Sequence, residues 1–197
     1  MPPPNPKHRP HSLQGALRDH FLAYFSGHAC TPSSFPAGPM ALAAPEFQVL
    51  RFAPGPRTGL WTYASLGAAD FHQGNDPRLE FVMLAAEPDM RLVELVTIVA
   101  WHHRDSCLGV GHTALLGEPW LADSACDSIL LSLPYPFGPE LEMHEVGETH
   151  VQILWALPIT RAERDFKVKN GLDALEELFD EDAIEFWAPH RSSVVRG

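Results

Sequence analysis

The run His150-Val151-Gln152-Ile153-Leu154-Trp155-Ala156-Leu157 meets Pro158 and opens at once into Ile159-Thr160-Arg161-Ala162-Glu163-Arg164, and no other stretch constrains the fold as much. Val151, Ile153 and Trp155 share one parity, Gln152, Leu154 and Ala156 the other. Near-continuous apolarity predicts an interior strand covered on both faces. Pro158 removes a ladder donor and predicts the end of the strand. Thr160 and Glu163 have the spacing of a capping box, in which hydroxyl and carboxylate each satisfy the other residue's amide. The helix they start is expected to reach about Asn170, where Gly171 supplies the positive-φ residue that ends it. Leu172, Leu175, Leu178 and Phe179 then mark a second helix.

Upstream, Ser12 can cap a helix carrying Leu13, Leu17, Phe21, Tyr24 and Phe25 and ending near Gly27. Residues 1–11 are proline-rich and are expected to form an extended or disordered arm, while residues 31–45, with their prolines and serines, read as a surface loop. Strands are expected at 46–53, 60–66 and 79–85, with a turn at Gly74-Asn75-Asp76-Pro77. Asp89 caps a helix to about His103, followed by strands at 111–116, 128–133, 141–146 and the 150–157 run. This order predicts an α+β fold: a single domain over residues 12–190 with a mixed, largely antiparallel sheet flanked by helices.

The chain has 197 residues and a formal net charge of −11. That balance disfavours phosphate-mediated binding of nucleic acid. Between Glu140 and Glu185, 13 acidic residues face only Arg161, Arg164, Lys167 and Lys169. Such a stretch reads either as a solvated face or as a surface that draws a basic protein. Cys30, Cys107 and Cys126 have no C-x-x-C spacing, so neither a disulfide framework nor a zinc knuckle is expected. The N-terminus lacks a signal-peptide core and no apolar run is long enough to span a bilayer; a cytoplasmic location without membrane contact is the expectation.

No catalytic or metal grouping meets its own spacing requirement. His102 and His103 diverge by about 100° on a helix, and Asp105 and Cys107 add no second pair, so this group reads as a helix end. His144 and His150 are six apart with Gly147 between them, which fits a hairpin and not the H-E-x-x-H helix. Ser65 keeps only the last glycine of a nucleophile elbow and reads as a turn serine. His20 and His28 read as rim histidines. A hydrolase or metal-dependent enzyme would have to draw on His102, His112, His144 or Cys126, brought together by the fold. No cofactor is expected. Trp120, in Gly117-Glu118-Pro119-Trp120, is expected exposed in a loop where an aromatic can anchor a partner, and Trp155 is expected in the core.

Three ordered segments give the chain its resemblance to a known family. They are Trp61-Thr62-Tyr63-Ala64-Ser65-Leu66-Gly67 with Leu79-Glu80-Phe81-Val82-Met83-Leu84, then Gly111-His112-Thr113 with Ser128-Ile129-Leu130-Leu131-Ser132-Leu133-Pro134, then the Pro158-to-Leu175 unit. Over residues 46–184 the chain resembles the suppressor-of-fused domain in its bacterial, single-domain form. Animal members bind and restrain transcription factors, with the partner peptide adding as a strand at a place comparable to residues 128–137. Bacterial members look like immunity proteins of toxin–antitoxin-like systems. The resemblance implies a non-enzymatic protein-binding module whose partner is a protein such as a basic toxin domain. The surface expected to meet it comprises Trp120, Tyr135, Glu142, Glu145, Glu148, Asp180, Glu181 and Asp182.

Overall fold

A computed structural model describes residues 12–71 and 78–196. The proline-rich arm at 1–11 and the turn at 74–77 lie outside the described residues. The first half of the chain forms α1 (Leu13–Tyr24), β1 (Cys30–Ser33), α2 (Pro39–Ala43), β2 (Gln48–Phe52), β3 (Trp61–Leu66), a 3-10 turn (Ala68–Phe71), β4 (Arg78–Ala85) and α3 (Met90–Ser106). The second half forms β5 (Thr113–Leu115), β6 (Cys126–Ser132), α4 (Pro139–Glu142), β7 (Met143–Val146), β8 (Thr149–Thr160), α5 (Arg161–Asn170) and α6 (Leu172–Asp182). Two of these elements, β1 and α2, occupy the stretch expected to be a loop. The strand expected from 141 begins only at Met143, because Leu141 and Glu142 belong to α4.

The eight strands form one sheet in the order β1-β2-β3-β4-β8-β6-β5, with β7 paired to the other end of β8. Every pairing is antiparallel except β4 with β8, so the fold is α+β with a mixed, mostly antiparallel sheet. β8 is interior and buried on both faces, as its two apolar parities require. Leu154 and Ala156 join the core beneath α3, with Phe81, Met83, Leu95 and Val99. Ile153, Trp155, Leu157 and Ile159 join the opposite core beneath α1 and α6, with Leu17, Phe21, Leu175 and Phe179.

β8 does not stop at Pro158. Its pairing with β4 ends where Trp155 lies opposite Val82, while its pairing with β6 continues from Trp155 to Thr160. The missing N–H therefore falls beyond the β4 ladder and no ladder bond is lost. Thr160 then caps α5: its Oγ1 accepts from the Glu163 amide at 3.3 Å and the Glu163 carboxylate accepts from the Thr160 amide at 2.8 Å. Gly171 ends α5 at φ 96°, a conformation that favours a residue without Cβ.

Two titratable groups sit inside this architecture. Glu80, on β4, is fully buried; it accepts from Ser65 Oγ, from the Gly67 amide at 2.8 Å and from the Ala69 amide at 3.2 Å. Ser65 also accepts from the Phe81 amide at 2.8 Å, so it is a buried clamp within β3 and not a turn serine. His20, on α1, stacks on His144 of β7 with ring centroids 4.1 Å apart. His28, in contrast, is buried and no rim residue: its Nδ1 faces the Ala53 carbonyl at 2.7 Å and its Nε2 accepts from the Arg57 amide at 3.0 Å.

Burial raises the Glu80 carboxyl from 4.5 to about 7. The folded protein then holds a proton that the unfolded chain releases, so this contribution to stability is full below about 4.5 and is lost as pH rises through 7. Burial and the neighbouring His144 lower His20 from 6.5 to about 4. Its contribution has the opposite sign, being full above 6.5 and lost as pH falls through 4. The two slopes oppose each other across the window they share. Measured against the parent by urea unfolding from pH 4.5 to 7, Glu80→Gln should gain stability as pH rises, by at most roughly 1.4 kcal/mol per pH unit. His20→Leu should show the reverse trend with a shallower slope, because solvent screens the half-exposed ring. Parallel curves for parent and both variants would refute the assignment.

Candidate functional site

β6, β8, α6 and the C-terminal tail meet around a cleft of ≈ 370 Å³. Trp155 and Leu157 of β8 contribute to its lining, as do Ser132 at the end of β6 and Tyr135 and Pro136 in the loop beyond. Glu176, Phe179 and Asp180 enter from α6, and Phe186 from the tail. Phe186 packs edge-on against both Trp155 and Phe179, with centroids 4.9 and 5.4 Å apart. Edge-to-face packing of this kind sets ring orientation. Ser132 Oγ donates to Glu176 Oε1 at 2.6 Å, and the Tyr135 hydroxyl lies 3.4 Å from Glu176 Oε2. Burial, followed by the Glu176 charge, pushes the Tyr135 phenol up, so it remains a donor at neutral pH. Trp155 is only 3% exposed, and its indole N–H has no acceptor among the described residues.

The wall formed by the tail depends on a buried ion pair. Arg191 grips Glu163 with both terminal nitrogens, at 2.7 and 2.8 Å, and its Nη2 also donates to the Pro158 carbonyl at 2.9 Å. Glu163 accepts the Val194 amide at 3.0 Å, so the same carboxylate caps α5 and anchors the tail. Its side chain is fully buried and that of Arg191 is 5% exposed. Local spacing reveals only the capping box of Glu163 and not this pair, because 28 residues separate Glu163 from Arg191.

The residues expected to meet a partner are scattered. Tyr135, 60% exposed, and Asp180 share the cleft. Glu181 and Asp182 follow on α6 but line a neighbouring hollow with Phe166 and Val195, and Asp182 lies 3.3 Å from Arg196 Nη2. Glu142 belongs to α4, Glu145 to β7 and Glu148 to the turn before β8, and none of the three lines the cleft. Trp120 contradicts expectation outright. It is fully buried, its indole donates to Ser124 Oγ at 2.9 Å and its amide to the Cys126 carbonyl at 2.9 Å. The loop folds back along β6 and carries the ring into the core beneath α3. Strand addition at 128–137 is also blocked, because β6 is paired on one side to β8 and on the other to β5. The 133–138 loop turns on itself through Tyr135 and Phe137 amides.

The enzyme alternative gains no site. His144 lies opposite Val151 and Cys126 opposite Thr160, nine residues apart along β8, or roughly 30 Å at 3.3 Å per residue. Burial pushes the Cys126 thiol up, away from a reactive thiolate. Among the described residues no three His, Cys, Asp or Glu side chains gather at metal-binding distance. His103 instead accepts the Leu108 amide on Nδ1 at 3.2 Å where α3 ends.

Sheet, helices and cleft together define a single-domain α+β protein on a mixed open sheet. The model of the suppressor of fused protein family matches residues 43–192. The chain belongs to the suppressor of fused family. A suppressor of fused homologue from Neisseria gonorrhoeae is 28% identical, with a TM-score of 0.81 over 92% of this chain and 96% of that one. The Sufu structure solved in complex with Fu is 12% identical, with a TM-score of 0.70 over 94% and 93% of the two chains. Drosophila Suppressor of Fused is 11% identical, with a TM-score of 0.63; the match takes in 98% of this chain and 54% of that one. At these last two identities the likeness is one of fold. No protein among those curated for function matches the chain.

Cutting the ion pair should loosen the tail and with it the Phe186 wall. Arg191→Ala leaves Glu163 buried and uncompensated, and is expected to cost about 3–5 kcal/mol of unfolding free energy. The double change Glu163→Gln with Arg191→Met should recover part of that loss. A destabilisation below about 1 kcal/mol in chemical unfolding, the range of an exposed pair, would show that the pair does not anchor the tail.

Proposed function

We propose that this protein is a non-enzymatic protein-binding module, an immunity protein that binds and neutralises a cognate toxin domain. The observation that carries the reading is the aromatic cleft bordered by Glu176 and Asp180. It is concave, apolar at its walls and bounded by carboxylates, and among the described residues no lysine, arginine or histidine lines it. Such a site can take an anchoring side chain of a protein partner. The Sufu–Fu complex shows a protein of this fold solved with a partner, which supports a protein ligand here.

The charge of α6 supports the same reading. It carries Asp173, Glu176, Glu177, Asp180, Glu181 and Asp182, and no basic residue stands in its last turn. Acidic side chains at a helix C-terminus oppose the helix dipole, so this arrangement works against local stability. Departures of this kind from local preference are characteristic of functional surfaces. A basic partner would offset the repulsion and be steered toward the face.

Tagged protein should capture one stoichiometric partner from its host at low salt. Capture should weaken at about 0.5 M salt, where the Debye length is roughly 4 Å. Charge reversal at Asp180, Glu181 and Asp182 should weaken it as well. The partner expressed alone should arrest growth, and co-expression of this protein should relieve the arrest. A captured partner that is harmless when expressed alone would overturn the toxin assignment. Absence of any partner at either salt would overturn the binding reading itself.

A further inference from the structure

We propose that the cleft is an arginine pocket: it takes one arginine side chain of the protein partner, with the guanidinium between Glu176 and Asp180 and flat against the aromatic walls. This rests on the reading of the protein as a binding module and specifies the group that it recognises. Glu176 and Asp180 are four residues apart on α6, which puts both on the same face of the helix. Ser132 and Tyr135 hold Glu176 from the other side of the cleft. Among the described residues no cation in the lining offsets the two charges. The nearby Arg191 guanidinium, 5.9 Å from the Phe179 ring, is engaged by Glu163.

Size and chemistry both favour arginine over other groups. A volume of ≈ 370 Å³ is near the lower end of the roughly 300–1,000 Å³ of ligand pockets, enough for a side chain and its flanking backbone but not for a folded element. A planar guanidinium stacks on aromatic faces and offers several N–H groups to two carboxylates at once, whereas an ammonium acts as a point charge. The second, independent sign is Trp155. Trp155 lines the cleft, and its buried indole N–H lacks an acceptor among the described residues. A buried donor without an acceptor is costly, and the carbonyl of an entering peptide would supply one.

The test is an NMR titration of ¹⁵N-labelled protein with N-acetyl-arginine methylamide, with the citrulline and lysine analogues as controls at constant ionic strength. The Trp155 indole signal is identified by its loss in Trp155→Phe. The arginine probe should shift it saturably, with a dissociation constant on the order of millimolar. Citrulline, neutral but similar in shape, should bind at least about tenfold more weakly, as should arginine to Glu176→Gln or Asp180→Asn. The remaining indole signals report whether each variant is folded. No saturable shift, or equal shifts with citrulline or lysine, would overturn the assignment. Should the toxin still bind a folded Asp180→Asn variant unchanged, the arginine pocket is wrong and the module reading stands. If no partner exists, both fall.

Discussion

The bidentate contact between Arg191 and Glu163 is the interaction on which the cleft end of the molecule depends. A buried ion pair adds little net stability, because desolvating two charges offsets most of their attraction. Its geometric effect is larger. Glu163 is committed in three directions, to the Thr160 amide, the Val194 amide and the guanidinium, and Arg191 reaches back to the Pro158 carbonyl. The corner where β8 becomes α5 and the last turn of the chain are therefore one hydrogen-bonded unit. Phe186 stands on the segment leading into that unit, and the aromatic wall of the cleft is positioned through it.

Local signals were legible in the sequence and long-range ones were not. The two-faced strand at 150–157, the Thr160–Glu163 capping box, the Gly171 break and the Asp89 cap all depend on residues within a few positions of one another. The β1 strand and α2 helix were hidden because prolines at 32, 36, 39 and 45 carry a loop signal, whereas β1 exists by pairing with β2. Pro158 misled for a related reason, since its effect depends on which neighbour its nitrogen would face. Trp120 looked exposed among Gly117, Glu118 and Pro119, and only the return of the loop along β6 provides Ser124 as its acceptor.

The site was half visible. Tyr135 and Asp180 were among the residues expected to meet a partner, but their neighbours Ser132, Trp155, Glu176 and Phe186 come from four separate segments. Nothing in the spacing of Glu176 distinguishes it from Glu177. Counting charge along the chain also merges groups with different roles. Glu163 belongs to the acidic stretch yet is neutralised in the interior, and Glu145 and Glu148 stand at a hairpin remote from α6 in sequence. The electrostatic surface is narrower than the acidic stretch implies.

The parallel pairing of β4 with β8 sets an order on how the molecule can assemble. Arg78 meets Val151, 73 residues later, whereas β1 to β4 pair with successive neighbours. Closing that loop carries a length-dependent entropic cost of roughly 4 kcal/mol, recovered only when β8 is seated. Until then both cores lack their central strand, and the cleft lacks Trp155 and Leu157. The cleft is thus complete only once this long-range pairing has formed, and a chain in which β8 is unseated presents the acidic helix without the aromatic walls beside it.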